Sequence, residues 1–141
     1  MIHLDTNYLI GLLVKGSAQA QDVDGWLAAG ENLACSAIAW TELLNGPVTP
    51  IEVTQVEALL QSRIVPFGQR EAVLAAQLFN QTGRRRGSRF DCLIAATAML
   101  GPADLATVNT TDFTSFVPFG LKLAGPASPN PDPLPRAQVG S

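Results

Sequence analysis

The sequence is poor in the residues that build the commonest metal and nucleophile sites. Its 141 residues include one histidine, His3, and two cysteines, Cys35 and Cys92. Cysteine-histidine zinc sites and most triads with a histidine general base therefore lack their parts. Both cysteines lie in apolar stretches, where a free thiol usually behaves as a small buried hydrophobe. His3 lies in the first predicted strand, where we expect a core histidine with its hydrogen bonds satisfied.

Charge is also scarce in this chain. Nine Lys and Arg residues stand against twelve Asp and Glu, which gives a net charge of -3, and charged residues make up only 15% of the sequence. No overall basic field attracts the protein to nucleic acid or anionic lipid, so any nucleic-acid contact needs a local patch. The hydrophobic content of 47% suits one globular domain rather than a disordered chain.

Long hydrophobic runs are missing as well. The longest apolar stretch, 92–100, is far shorter than the roughly 20 residues that cross a bilayer. The first residues lack a basic lead-in and reach Asp5 almost at once, so they do not resemble a signal peptide. We therefore expect a cytoplasmic protein in a reducing compartment, with no membrane partner.

Short apolar segments alternate with helix-period segments along the chain. This alternation predicts an α/β fold with a central parallel sheet of four to five short strands, flanked by helices on both faces. Ligands of such folds collect beyond the carboxyl ends of the strands. The predicted strands cover 1–4, 32–35, 63–67, 105–108 and, as a weak edge strand, 118–123. The predicted helices cover 18–29, 37–45, 50–61, 69–80 and 90–100, after a first helix that opens beyond Asp5.

Proline is concentrated at the end of the sequence. Five of the ten prolines fall between Pro126 and Pro135, and no apolar periodicity accompanies them. We predict a domain over 1–123, followed by a proline-rich tail over 124–141.

Four of the twelve acidic residues lie inside or directly against apolar segments. An ionised carboxylate is costly there unless it is paired or bound to a cation. The four are Asp5, Glu42, Asp91 and Asp112. Asp5 and Asp112 follow the first and fourth strands, so both are expected at the carboxyl edge of the sheet. If all four converge, a hard cation is needed to offset their repulsion, and oxygen ligands suit Mg²⁺ or Mn²⁺.

Each acidic residue has a simpler alternative role. Asp5 alone is a good helix N-cap, and Asp91 stands three residues after Ser88 in the spacing of a capping arrangement. Glu42 alone fits a helix residue that faces solvent, and Asp112 alone could close an Asx turn. Only the joint pattern favours a shared site.

Four segments that contain these acids resemble the motifs of PIN-domain nucleases, in particular the small VapC-type toxins of bacterial toxin-antitoxin pairs. The resemblance runs from residue 1 to about residue 123. The last two segments are specific when they occur together. The four segments are Leu4-Asp5-Thr6-Asn7, Thr41-Glu42-Leu43, Asp91-Cys92-Leu93-Ile94-Ala95-Ala96-Thr97-Ala98 and Thr107-Val108-Asn109-Thr110-Thr111-Asp112-Phe113.

The resemblance implies a PIN-like fold and a metal-dependent endoribonuclease that hydrolyses phosphodiesters of tRNA or mRNA. It also implies a cognate antitoxin protein as partner and a homodimer. By the same resemblance, the catalytic and metal-binding residues are Asp5, Glu42, Asp91 and Asp112, with Asp112 completing or orienting the site. Thr6 and Asn109 are then expected to support them through hydrogen bonds.

A basic, glycine-flanked loop precedes the third motif. Arg84, Arg85 and Arg86, together with Arg89, supply the local positive patch that the overall charge lacks. Its expected target is a phosphate backbone or an acidic segment of the antitoxin, and the simpler alternative is a solvated arginine loop.

Other function classes remain open at this point. One is a protein-binding module whose acidic pocket holds a structural cation or none, and another is a PIN nuclease directed at DNA. Aspartyl-phosphate folds also place an Asp after the first strand, but a haloacid-dehalogenase phosphatase requires Asp-x-Asp where this chain has Asp5-Thr6-Asn7. A receiver domain requires paired acids there. Metal-dependent cleavage separates the nuclease from the binding module.

Overall fold

A small parallel sheet forms the centre of the fold, as the alternating pattern predicts. The computed structural model describes residues 1–125, and the tail predicted for 124–141 lies outside the described residues from residue 126 onward. The strands are β1 (Ile2–Leu4), β2 (Leu33–Ser36), β3 (Ile64–Val65) and β4 (Asp104–Ala106). They pair in the order β3-β2-β1-β4, and every pairing between them is parallel.

Helices flank the sheet and connect its strands. Within residues 1–125 they are α1 (Thr6–Gly11), α2 (Ala18–Ala28), α3 (Ala37–Leu44), α4 (Pro50–Leu59), α5 (Gln69–Gln81), α6 (Arg89–Leu100) and α7 (Thr110–Phe113). Side-chain caps fix where several of them begin. The Ser36 hydroxyl accepts from the Ala39 N–H at 3.0 Å, and Thr49 and Glu52 form a reciprocal capping box at the start of α4. No helix within this part of the chain is long and apolar enough to cross a membrane.

The α6 helix is the most buried helix, as its apolar sequence predicts. Six of its twelve residues are buried, and it packs against α5, α3, β2 and β4. Cys92 on α6 and Cys35 on β2 are buried free thiols, in agreement with the sequence analysis. This packing fixes the start of α6, where Asp91 lies, relative to the sheet.

The ends of the last strands differ from the prediction. The β3 strand stops at Val65 because Pro66 has no N–H to donate to a ladder. The edge strand predicted over 118–123 is wrong: residues Thr114–Phe119 form a 3₁₀ helix, and only Leu123 pairs with the sheet, through a parallel bridge to Leu105. The 3₁₀ turn buries Phe116 against Phe113 with ring centroids 6.0 Å apart, and this burial outweighs the extended preference of the segment.

His3 is buried in β1, but the expectation that its hydrogen bonds are satisfied is wrong. Its side chain is 2% exposed, and neither ring nitrogen has a hydrogen-bond partner within the described residues. Burial, and to a smaller extent the N-terminal ammonium, lowers the pKa of His3 from 6.5 to about 4. The folded state therefore holds this imidazole neutral.

We expect His3 to weaken the fold in mild acid. Because its folded pKa lies below its unfolded pKa, its contribution is fully present above pH 6.5 and is lost as the pH falls toward 4. Between pH 7.5 and pH 5 the loss amounts to about 2 kcal/mol of unfolding free energy. Urea unfolding of the parent and of His3→Leu at both pH values measures it. An equal loss in both proteins would assign the acid sensitivity to other groups.

Candidate active site

Asp5 lies at the carboxyl end of β1, held by a network of hydrogen bonds. Its side chain is 6% exposed. One carboxylate oxygen accepts from the Thr6 N–H at 2.8 Å, and the other accepts from the Thr107 hydroxyl at 2.7 Å and the Asn7 amide at 3.2 Å. Asp5 is therefore the N-cap of α1, as its simpler role requires, and its second oxygen is tied to the end of β4.

Glu42 reaches the same edge of the sheet from α3. The Thr6 hydroxyl donates to Glu42 Oε1 at 2.5 Å, so one residue bonds both Asp5, through its backbone, and Glu42, through its side chain. Glu42 is half-buried, and its charge helps to raise the pKa of Asp5. Glu42 is therefore not a helix residue that faces only solvent, which was the simpler alternative for it.

Asp91 lies in the first turn of α6 and is half-buried. The capping arrangement considered for Ser88 does not form, because the Ser88 hydroxyl donates to the Arg85 carbonyl at 2.7 Å and caps no helix N–H. The N-terminal end of a helix favours a carboxylate through the helix dipole.

Asp112 and Asn109 lie in the turn that follows β4. Asp112 belongs to the short helix α7 and is exposed. Asn109 is also exposed, and its backbone N–H donates to the Thr107 hydroxyl at 3.0 Å, whereas its side chain makes no capping bond. Asp112 is therefore a carboxylate at the rim of the cluster.

The charges of the other three carboxylates are close enough to Asp91 to affect its pKa. Burial raises the pKa of Asp91 to about 6, and the charges of Asp5, Asp112 and Glu42 add to the rise in that order. Burial also raises the pKa of Asp5, against the hydrogen bonds that favour its ionised form. Within residues 1–125 the one ion pair joins the N-terminus to Glu31, so none of the four has a cationic partner in contact.

We expect Asp91→Asn to stabilise the protein when divalent metal is removed. A raised carboxyl pKa means that ionised Asp91 destabilises the fold above pH 6, and that the loss is recovered as the pH falls from 6 toward 3.8. At pH 7.5 in a chelator, the variant should gain about 1 kcal/mol of unfolding free energy after allowance for solvent screening. Asp24→Asn, an exposed carboxylate on α2, is the control. Equal stability of Asp91→Asn and the parent would contradict the conclusion that ionised Asp91 destabilises the fold.

The donors suit a hard divalent cation by their chemistry. Asp5, Glu42 and Asp91 offer only carboxylate oxygens, the ligands that Mg²⁺ and Mn²⁺ prefer, and the mutual repulsion of the cluster is the electrostatic signature that a cation relieves. In the described part of the chain, no three His, Cys, Asp or Glu side chains already form a ready-made ligand set. Asp5 and Glu42 instead accept hydrogen bonds from neighbouring side chains. The ligand assignment stays a prediction.

The arginine loop lies beside this cluster. Arg84, Arg85, Arg86 and Arg89 are exposed, and Arg85 is near enough to lower the pKa of Asp91, against the larger effects that raise it. The guanidinium carbons of Arg84 and Arg89 lie 5.4 and 5.7 Å from the centroid of the Phe79 ring.

Two supporting residues were missed by the sequence reasoning. Thr107 donates to Asp5, and Asn7 bonds both Asp5 and the backbone N–H of Val108. Both residues lie inside the four motif segments, so a signal was present. Only the pairing of β1 with β4, which aligns Leu4 with Ala106, shows that they meet.

The chain matches the family model described as PIN domain over residues 2–115. It belongs to the PIN domain family. The resemblance stated from the motifs is thereby confirmed, and the parallel sheet with its flanking helices is the fold of this PIN domain.

Several solved structures are similar to this PIN domain. FitAcB from Neisseria gonorrhoeae has a TM-score of 0.66 and 26% identity, over 89% of this chain and 98% of that one. A toxin-antitoxin complex from Klebsiella pneumoniae gives 0.65 and 27%, over 80% and 90%. VapBC2 from Rickettsia felis, bound to a DNA fragment from their promoter, gives 0.61 and 26%, over 88% and 98%. No significantly similar sequence was found among curated proteins.

Proposed function

We propose that this PIN domain is a metal-dependent endoribonuclease and the toxin of a toxin-antitoxin pair. The observation that carries the proposal is the convergence of Asp5, Glu42, Asp91 and Asp112 at one edge of the sheet. Burial, and then the charges of the other three, raise the pKa of Asp91 there. Membership of the PIN family supports nuclease chemistry, and the similarity to the toxin-antitoxin complex from Klebsiella pneumoniae supports the biological role.

In this proposal the surroundings of each residue determine whether it binds metal, supports a ligand or accepts a proton. Asp5, Glu42 and Asp91 would hold Mg²⁺ or Mn²⁺, and a bound cation would supply an activated water and offset charge on the phosphorus oxygens. Thr107 and Asn7 hold Asp5 in place, and Thr6 holds Glu42. Asp112 is exposed, so its carboxylate can accept the proton of the attacking water.

The arginine loop supplies the substrate contact in this proposal. Arg84, Arg85, Arg86 and Arg89 bring positive charge next to a negative cluster in a chain that is acidic overall. A phosphate backbone that binds these guanidiniums passes over the carboxylates, so the loop offsets the repulsion that the cluster alone would exert on RNA.

An apolar groove on the surface supports the proposal that this protein binds a partner. A groove of about 490 Å³ between α1 and α4 is lined mainly by the apolar side chains of Leu12, Leu13, Val56 and Leu59. Exposed apolar surface of this kind is typical of protein interfaces. We propose that such surface binds an antitoxin. We also propose that the chain forms a homodimer, and light scattering of the purified protein measures its oligomeric state directly.

The decisive experiment is cleavage of tRNA, mRNA and single-stranded DNA by the purified protein. Each pool is incubated with Mg²⁺, with Mn²⁺ and with a chelator, in parallel with Asp5→Asn as a guard against contaminating nuclease. We expect cleavage of RNA that requires metal and is lost in the variant. Cleavage of DNA alone would indicate a DNA-directed PIN nuclease, and a folded protein that cuts nothing would favour the binding module.

A further inference from the structure

An exposed phenylalanine lies next to Asp91 in the chain. Phe90 precedes Asp91 in the first turn of α6, and its side chain is 60% exposed. Successive residues of a helix are separated by about 100° around the axis and 1.5 Å along it. Phe90 and Asp91 therefore point in different directions from the same turn, and the Phe90 ring is exposed to solvent rather than packed in the core, where a phenylalanine would be more stable.

The ring borders a groove between α5 and α6. This groove has a volume of about 520 Å³, and its lining includes the aromatic rings of Phe67, Phe79 and Phe90 beside Leu93. The Arg89 side chain lines it as well. An aromatic floor with a cationic rim is the combination on which single-stranded nucleic acids bind, with bases stacked on rings and phosphates on arginines.

Charge distinguishes this groove from the apolar groove between α1 and α4. Arg84 and Arg89 place guanidiniums near the Phe79 ring, and Arg85 lies within electrostatic range of Asp91. None of these arginines forms an ion pair with a carboxylate within residues 1–125. The groove is therefore complementary to an anion that also carries flat apolar faces, and two of its lining residues, Arg89 and Phe90, directly precede Asp91 in α6.

We propose that Phe90 is a substrate-positioning residue on which an unpaired base of the RNA stacks, with the arginine loop on the adjoining phosphates. This inference rests on the proposed function and specifies its substrate as a single-stranded segment, because a base inside a duplex cannot present its face to a side chain. Stacking on Phe90 fixes the strand next to Asp91, so the neighbouring phosphodiester lies over the carboxylates.

The test measures binding and cleavage of the RNA that the parent protein cuts. Phe90→Leu keeps apolar bulk but removes the aromatic face, and the exposed position allows the variant to fold. Phe119→Leu is the matched control. Phe119 is exposed and adjoins Gly120, where an added Cβ would lie 3.7 Å from the Met99 side chain. Met99 is nine helix positions from Phe90, which is about 14 Å along α6.

Binding is measured in the Asp5→Asn background, which prevents cleavage, with the RNA labelled by 2-aminopurine at successive positions. We expect Phe90→Leu to weaken binding of single-stranded RNA about tenfold and to abolish the quenching of one 2-aminopurine. Phe119→Leu should do neither. Cleavage by Phe90→Leu should show a raised KM. An RNA that is abasic at the quenched position should bind with equal affinity whether or not the protein carries Phe90→Leu.

Two results would overturn the inference while the proposed function stands. One is cleavage and binding by Phe90→Leu equal to those of the parent. The other is a change from dimer to monomer in Phe90→Leu, with unaltered RNA affinity per chain, which would assign the groove to a second copy of the protein. If the parent cuts no RNA with any metal, the proposed function fails and this inference falls with it.

Discussion

Asp5→Asn is expected to lower metal-dependent RNA cleavage by about a thousandfold while the fold persists. Asp5 is the most enclosed carboxylate of the cluster, with a side chain 6% exposed and both oxygens in hydrogen bonds. Asparagine keeps the shape and the acceptor that caps α1 but removes the negative charge that would bind the cation. The loss should therefore fall on catalysis rather than on folding.

Single-turnover cleavage with saturating Mg²⁺ measures this effect, and urea unfolding checks that the variant is folded. The matched control is Asp24→Asn, because Asp24 is an exposed carboxylate on α2 outside the cluster. We expect the control to cleave like the parent. Activity of Asp5→Asn within a few-fold of the parent would remove Asp5 from the site.

Replacing Arg84, Arg85 and Arg86 together by alanine is expected to weaken RNA binding by about one to two orders of magnitude at low salt. Each lost phosphate contact reduces the slope of log affinity against log salt by about 0.7 for a single strand, so the triple variant should lose about two units of slope. All three side chains are exposed, so we expect their removal to change the free energy of unfolding little.

Filter binding or fluorescence anisotropy over a salt series measures both quantities. Arg70→Ala is the control, since Arg70 is an exposed arginine that lines a surface groove with Leu100, at the far end of α6 from the arginine loop. An unchanged salt slope in the triple variant would return the loop to the simpler interpretation of solvated surface arginines.

The sequence predicts most of this fold because its signals are local. Apolar strand segments, helix-period segments and capping residues such as Ser36 depend on neighbours in the chain, and β1, β2 and the helices follow them closely. The motif around Asp91 likewise identifies a buried helix with a carboxylate in its first turn.

The remaining features depend on contacts between distant segments. Thr107 becomes a partner of Asp5 only because β4 pairs with β1, a relation between residues 102 positions apart. The 3₁₀ turn over Thr114–Phe119 replaces a predicted strand because Phe116 finds a buried position beside Phe113. His3 is buried without hydrogen-bond partners among the described residues, and nothing in its immediate sequence predicts that.

The pairing of β1 with β4 also sets when the carboxylate cluster can assemble during protein synthesis. Asp5 leaves the ribosome early, but its support from Thr107 and from the Asn7 bond to Val108 needs residues synthesised about a hundred positions later. A nascent chain that has not yet added β4 holds Asp5 without these contacts. The hydrogen bonds that hold Asp5 are therefore completed only after most of the domain has been synthesised.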